Sequence, residues 1–219
     1  MKFLLLFLPF FSLVAAADYS VQTLSTSPRI YLIENFLSAK ECDHLIEIAK
    51  PHLQRSTVIN DGVANEGKLD ARRTSQGMFI LDHLKDRIVK KIEKRLAALT
   101  ELPIQNGESI QVLQYREGAE YQPHHDYFNP ATPGGMSHLN RGGQRVASVI
   151  MYLNTPQEGG ETIFPRVNIR VTPKKGSAVL FYNCLTTGEV DPLSLHGGAP
   201  VIAGEKWIAT KWIRQGEFR

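Results

Sequence analysis

The stretch YQPHHDYF, residues 121 to 128, sets two histidines side by side with an aspartate directly after them. In an extended strand, neighbouring side chains point to opposite faces and residues two apart share one. His124 and Asp126 are therefore expected to converge on one point while His125 points away. An imidazole and a carboxylate so placed supply two of the three ligands of a 2-His-1-carboxylate triad, which leaves positions open on a non-haem Fe(II). The pair also has a plainer reading, a histidine and an aspartate bonded to each other at a strand end. Metal binding requires a third ligand from elsewhere in the chain.

Seven histidines are available for that role. His44, His52 and His83 sit on or beside helical patterns and read as surface or packing residues. His138 lies in a polar, loop-like stretch that suits substrate contact better than rigid ligation. His196 stands just before the final strand-like run and is flanked by Gly197 and Gly198, which let backbone or substrate approach closely. It is the expected distal ligand. Ten residues further on, Lys206 opens the last strand-like run, where a cation can hold the distal carboxylate of a chelating co-substrate. A lysine there is otherwise a solvated strand residue.

The elements that would position these residues fall into two parts. FLSAKECDHLIEIAKPHL carries Ser38 with Glu41 three residues on, a capping box for a helix running to about Pro51, with Leu45, Ile46 and Ala49 as its buried stripe. A second helical pattern runs from about Asp82 to Leu99, with Leu84, Ile88, Ile92 and Leu96 recurring every four residues. After Pro103 the chain turns to short β-rich runs separated by glycine and proline. SIQVLQYREGAEYQPHHDYF reads as strand, turn at Glu117-Gly118, and strand; QRVASVIMYLN, NIRVTP, GSAVLFYN and GEKWIATKWIRQ are four further strands. Helices followed by many strands predict an α+β domain built on a β-sandwich or jelly-roll. Residues 60–75 and 129–144 read as long exposed loops, the second lying beside the HxD stretch, and such loops often serve as lids or binding loops.

With 219 residues, 42% hydrophobic and 21% charged, the chain suits one ordinary globular domain rather than a fibrous or disordered protein. Its first 17 residues have a basic residue at Lys2, an apolar run from Phe3 to Val14 and a small-residue end at Ala15-Ala16-Ala17, the layout of a signal peptide. The other reading, a membrane-anchoring helix, needs about 20 apolar residues, and this run is shorter and contains Pro9. Secretion permits disulfides, but Cys42 and Cys184 are the only cysteines, so they either pair or are two buried thiols. A net charge of +3, with basic residues dispersed among acids, gives no nucleic-acid-binding patch.

Taken together, PRIYLIENFLSAKECDHLI, YQPHHD, GGETIFP, VTPKKGSAVLFYN and SLHGGAPVIAGEKWIATKWIR resemble the prolyl 4-hydroxylase family of Fe(II)/2-oxoglutarate dioxygenases, with motifs in matching order from about Pro28 to the C-terminus. The resemblance implies a double-stranded β-helix (jelly-roll, cupin-like) core with flanking N-terminal helices, and iron held by His124, Asp126 and His196. Residues 18–219 would form one dioxygenase domain, with a helical part at about 28–100 and the jelly-roll core at about 108–215. It further implies that Lys206 pairs with the distal carboxylate of 2-oxoglutarate and that Tyr115, Thr162 and Trp212 line the co-substrate pocket. Tyr121 and Arg145 match positions facing the substrate proline and the oxidant. Alone, Tyr121 and Trp212 read equally well as core aromatics. Arg214 stands where many relatives carry histidine, and it shares strand parity with Lys206, so an arginine there can be imagined sharing the carboxylate-binding role.

The implied reaction is hydroxylation of peptidyl proline coupled to conversion of 2-oxoglutarate and O2 to succinate and CO2, with ascorbate as the reductant. The expected substrate is a proline-rich or collagen-like peptide in an extended conformation, whose polyproline II backbone leaves the rings exposed for a groove to read. If the signal segment is cleaved, no stable membrane insertion remains. It directs the protein to the endoplasmic reticulum lumen in a eukaryote, or to the periplasm or exterior in a bacterium. Two alternatives are a non-catalytic module that binds proline-rich segments and a related oxygenase acting on lysine or a small molecule.

Overall fold

In a computed structural model that describes residues 19–64 and 66–219, Ser38 starts the first helix as its spacing to Glu41 predicts. The expected signal segment, residues 1–17, lies outside the described residues. Ser38 Oγ accepts from the Glu41 amide at 3.2 Å, and the Glu41 carboxylate accepts from the Ser38 amide at 2.8 Å. That capping box opens α1 (Ala39–Ala49), and a short 3₁₀ turn at Lys50–His52 ends it. Arg95 of α2 (Arg87–Thr100) donates to both oxygens of Glu41, at 2.9 and 3.1 Å, so the carboxylate that closes the box also ties the two helices together.

α2 begins later than the sequence suggests. Asp86 is its N-cap, accepting from the amides of Ile88 and Val89 at 2.9 Å each, and Asp82–Leu84 forms a separate 3₁₀ turn. The buried stripe is Val89, Ile92 and Leu96, with Ile88 and Leu84 only partly covered. A strict four-residue repeat drifts by about 40° per step on a 3.6-residue helix, which carries the buried face from Ile88 round to Val89. In α1 the buried residues include Cys42, Leu45 and Ala49, and Ile46 is half-buried. No helix among the described residues is long and apolar enough to cross a membrane.

Sixteen strands are described. The first six are β1 (Ser20–Thr26), β2 (Arg29–Glu34), β3 (Gln54–Arg55), β4 (Val58–Ile59), β5 (Gly67–Lys68) and β6 (Gln76–Phe79). After α2 come β7 (Gln111–Tyr115), β8 (Tyr121–His124), β9 (Arg145–Tyr152), β10 (Glu158–Gly159) and β11 (Thr162–Phe164). The last are β12 (Ile169–Val171), β13 (Ala178–Tyr182), β14 (His196–Gly198), β15 (Val201–Ala203) and β16 (Lys206–Arg214). An eight-stranded antiparallel sheet runs β1-β2-β13-β9-β16-β7-β6-β3, and a four-stranded antiparallel sheet runs β12-β11-β14-β8. This is the expected jelly-roll, and it places β7 and β8 in different sheets on either side of the Glu117-Gly118 turn.

Period-two alternation sorts the large sheet into two faces. Ala147, Val149 and Met151 of β9 and Trp207, Ala209 and Ile213 of β16 pack with α1 and α2 in one core. Ile150, Tyr152, Val179, Phe181 and Ile208 point the other way and meet Phe164, Val171 and Val201 in a second core between the sheets. Each fully buried side chain of this size contributes about 2 kcal/mol. The intersheet core ends in the site described below.

Two features of the chain were not anticipated. The 28–100 stretch contains β2, β3 and β6 of the large sheet as well as its helices. Residues 129–144, expected to be a loop, carry α3 (Pro133–Leu139), capped by Thr132 Oγ1 accepting from the Gly135 amide at 3.1 Å. The Gly134-Gly135 pair hides that helix, because glycine is a poor helix former. A Cβ at either position would run into backbone, the Asn60 carbonyl or the Asn129 carbonyl. His138 therefore lies on α3 rather than in a loop, stacked on Phe128 with ring centroids 5.1 Å apart. Of the two alternatives for the cysteines, the second holds: Cys42 and Cys184 are both buried free thiols.

Candidate metal centre and active site

β8 and β14 are antiparallel neighbours in which His124 lies directly opposite His196, so strand pairing alone brings two imidazoles from distant segments together. Gly197 makes this approach possible, since a Cβ there would sit 2.9 Å from the Tyr121 carbonyl and 3.1 Å from Pro123 N. The rings are 4.4 Å apart between centroids. Asp126 lies in a bend two residues beyond the end of β8, yet its side chain still turns to the same point. His124 Nε2 is 3.7 Å from Asp126 Oδ1 and His196 Nε2 is 3.6 Å from Asp126 Oδ2. One ligand atom from each of the three residues lies within 4.8 Å of the other two.

The second ring nitrogens settle the tautomers. His124 Nδ1 lies 2.9 Å from the Gln122 carbonyl, and His196 Nδ1 lies 3.0 Å from the Ser194 carbonyl. A carbonyl only accepts, so both protons sit on Nδ1 and both Nε2 lone pairs face the shared point, the arrangement metal-binding histidines require. Burial pushes the His124 ring down to about 3, and the facing His196 adds to the effect. Burial lowers His196 in the same way. Burial alone would raise the Asp126 carboxyl, but the neighbouring His196 and His124, Arg145 and the Ser148 hydroxyl hold it well below the usual carboxylate range. Two neutral imidazoles and a carboxylate make a donor set suited to Fe(II).

A pocket opens from these ligands along the inner face of β16. Lys206, Ile208, Thr210 and Trp212, alternate residues of that strand, line it together with Tyr115, Tyr121 and Thr162. Lys206 is 2% exposed, with no carboxylate within 4.0 Å of its ammonium among the described residues; Nζ sits 5.2 Å from the centroid of the Tyr115 ring. Burial draws it down from 10.5 to about 8, against the pull of Glu161. Tyr152 donates its phenol proton to Thr162 Oγ1 at 2.7 Å, which frees the Thr162 hydroxyl to donate elsewhere. Trp212 Nε1 is a buried donor with no partner among the described residues. A buried cation and spare donors fit an anionic ligand with several oxygens.

The other singled-out residues separate clearly. Tyr121 is stacked on His124 at 3.6 Å between centroids, and Arg73 lies 4.9 Å over the Tyr121 ring. Arg145 sits behind the ligands rather than in the pocket wall. It pairs with Glu108 at 2.6 and 2.8 Å, lies 4.0 Å over the Trp212 ring, and approaches the Asp126 carbonyl at 3.5 Å. Arg214 does not share the Lys206 role. It lies beyond the pocket row, fully buried against Glu108 at 2.6 Å and the carbonyls of His138 and Gly143. His125 points away, its Nε2 3.1 Å from the Pro192 carbonyl and its ring stacked on Tyr127.

Several site residues escaped the sequence reading. Thr210 and Ile208 were legible from parity with Lys206 and Trp212 on one strand, and Ser148 and Ile150 from parity with Tyr152. Arg73 carries no such signal. It sits in the 60–75 segment read as exposed, yet it is 7% exposed and bonds to Thr57 O and Gln111 Oε1. Glu108 is equally silent in the sequence, because its two arginine partners lie 37 and 106 residues away.

Comparison with known proteins agrees with this geometry. The profile of the 2OG-Fe(II) oxygenase superfamily matches residues 110–214. Prolyl 4-hydroxylase 1 of Arabidopsis thaliana is 44% identical over 218 residues, covering 93% of this chain and 75% of the relative. Probable prolyl 4-hydroxylase 3 of the same plant is 41% identical over 221 residues, covering 92% and 75%. Among solved structures, the viral collagen prolyl hydroxylase of Paramecium Bursaria Chlorella virus-1, in complex with 2OG, superposes with a TM-score of 0.65 at 31% identity, covering 84% of this chain and 95% of the other.

Proposed function

The chain belongs to the prolyl 4-hydroxylases of the 2OG-Fe(II) oxygenase superfamily, and from that premise we propose that it hydroxylates peptidyl proline in proline-rich or collagen-like segments, using O2 as oxidant and ascorbate as reductant. The observation that carries the reading is the His124, Asp126 and His196 cluster, with both Nε2 lone pairs facing one point, beside a buried lysine that has no carboxylate within 4.0 Å among the described residues. Fe(II) held by these three residues supplies the oxygen chemistry that couples loss of CO2 from 2-oxoglutarate to hydroxylation of carbon. The protein's share is positioning and protection.

Lys206 holds the distal carboxylate of 2-oxoglutarate, and Thr162, Tyr115 and Trp212 shape the pocket around it. Tyr121, fixed by its stack on His124, faces the substrate proline, and Arg145 sets the far side of the site through its bonds to Glu108 and its approach to the Asp126 carbonyl. The 60–75 and 129–144 segments, which touch where the Gly134 amide donates to the Asp61 carbonyl at 3.2 Å, would wall in an extended peptide. A polyproline II chain has no internal hydrogen bonds, so it can be read there without unfolding cost. In this reading residues 18–219 act as one dioxygenase domain. Residues 1–17 direct it to the secretory pathway, the endoplasmic reticulum lumen in a eukaryote or the periplasm or exterior in a bacterium.

The test is to incubate the mature protein with Fe(II), 2-oxoglutarate, ascorbate and a panel of collagen-like, polyproline and lysine-containing peptides, and to map added oxygen by mass spectrometry. Oxygen on proline, dependent on both iron and 2-oxoglutarate, is expected. Oxygen on lysine, or peptide retention with no succinate, would overturn the substrate assignment.

A further inference from the structure

Asp126 is held by a second layer that nothing in the motif announces. Ser148, on the pocket-facing side of β9, places its Oγ 2.7 Å from Asp126 Oδ2. Asn183, directly after β13, places its Nδ2 2.9 Å from the same Oγ. Both residues are 0% exposed. Asn183 is itself pinned through its backbone, donating to the Val146 carbonyl and accepting from the Asp191 amide at 2.9 and 2.8 Å.

The direction of the protons in this chain is fixed. An ionised carboxylate only accepts, so at 2.7 Å the Ser148 hydroxyl must donate to Asp126 Oδ2. Its oxygen then needs an N–H from the other side, and Asn183 supplies it. The Asn183 Oδ1 consequently has no partner among the described residues, a buried orphan whose presence is explained by the demand on Nδ2. With Oδ2 accepting from Ser148, Asp126 Oδ1 is the oxygen that accepts no hydrogen bond among the described residues; it lies 3.7 Å from His124 Nε2, while Oδ2 lies 3.6 Å from His196 Nε2.

We propose that Ser148 and Asn183 are positioning residues that make Asp126 a one-oxygen ligand, leaving Oδ1 for the metal and engaging Oδ2 in the hydrogen bond from Ser148. The inference rests on the reading of His124, Asp126 and His196 as the metal centre. Its purpose in that reading is coordination number: a carboxylate bound through both oxygens would fill a position that the co-substrate or O2 requires. Partners of ligating groups in this outer layer typically govern metal affinity by 10–100-fold.

The full-length protein, freed of metal, is titrated with Mn(II) alone by calorimetry and with Co(II) by visible spectroscopy, for the wild type, Ser148→Ala, Asn183→Ala and the double variant. Ser148→Ala is expected to weaken Mn(II) binding roughly 10–100-fold and to change the Co(II) ligand-field spectrum, because a released Oδ2 swings toward the metal. Metal-free unfolding midpoints report any merely structural loss. Asn183→Ala is expected to weaken binding less, and to add nothing once Ser148 is gone, since it acts through that hydroxyl. Should Asn183→Ala not fold, Ser148→Ala decides alone. A Ser148→Ala affinity within twofold of wild type with an unaltered Co(II) spectrum overturns the proposal, and equal losses from Asn183→Ala in both backgrounds overturn the part assigned to Asn183. A wild type that binds neither ion overturns the metal-centre reading itself, and the inference with it.

Discussion

Replacing Lys206 with methionine is expected to make the free protein more stable and the co-substrate complex weaker. Methionine keeps an unbranched stem in the space the lysine fills, but carries no charge. In the free protein the ammonium is 2% exposed and, among the described residues, without a counter-ion within 4.0 Å, and its pKa falls from 10.5 to about 8. That drop corresponds to on the order of 3 kcal/mol of destabilisation at neutral pH. The sign is that of a depressed cation: the penalty is fully present below about pH 8 and is relieved as pH rises from about 8 toward 10.5, where the unfolded chain holds the proton and the folded one does not. Methionine should therefore raise the metal-free midpoint by up to roughly 6–12 °C at pH 7, and by less at pH 9.5. The same substitution removes a charge-assisted bond to the 2-oxoglutarate carboxylate worth roughly 1.5–3 kcal/mol, or about 10- to 150-fold in affinity. Scanning calorimetry at the two pH values, with titration of 2-oxoglutarate into Mn(II)-loaded protein, measures both halves. Wild-type affinity should also decline as pH passes about 8 and the free lysine loses its proton, a decline absent from the variant. A lower midpoint together with unchanged 2-oxoglutarate affinity would refute the assignment of Lys206.

His124→Ala and His196→Ala should each abolish turnover and metal binding, while His125→Ala keeps most of both, because its ring is turned to the Pro192 carbonyl and Tyr127; equal metal loss in all three, read by bound-metal analysis, would sink the geometry. Glu108→Gln should cost on the order of 3–5 kcal/mol in urea unfolding, since it strands the guanidinium groups of Arg145 and Arg214 without their buried counter-ion. Burial works to raise the Glu108 carboxyl, but Arg145 and Arg214 outweigh it and hold it below 4.5, so its contribution is present above that pH and fades as pH falls through the lowered value. A loss under about 1 kcal/mol on the Gln substitution would show that the charges are not coupled.

How far the sequence carried depended on whether a contact was local. Residue spacing was enough to converge His124 with Asp126 and to expel His125, even though β8 stops at His124 and the aspartate sits in a bend. The capping box of α1 and the pocket row on β16 were likewise readable from offsets of three and two. Parity was not enough at Arg214, two residues past Trp212, because its guanidinium is taken up by Glu108 and the carbonyls of His138 and Gly143 in a buried cluster. The glycine pair concealed α3, because what selects glycine there is the nearness of other backbone rather than any turn. Glu108, Arg73 and Asn183 owe their positions to segments brought together by the closed jelly-roll, and no spacing encodes such a meeting; parity puts Ser148 on the pocket face but does not say that it meets Asp126 there. They are also the residues that hold the ligands and aromatics of the site in place.

The most direct measurement of the central claim is a reaction under isotopically labelled O2, with Fe(II), 2-oxoglutarate and a proline-rich peptide, followed by mass analysis of both products. One labelled oxygen in the peptide, on proline, and one in succinate, formed in equal amounts and abolished by His196→Ala, is the expected result. Succinate appearing without labelled proline, or oxygen entering the peptide from water, would contradict it.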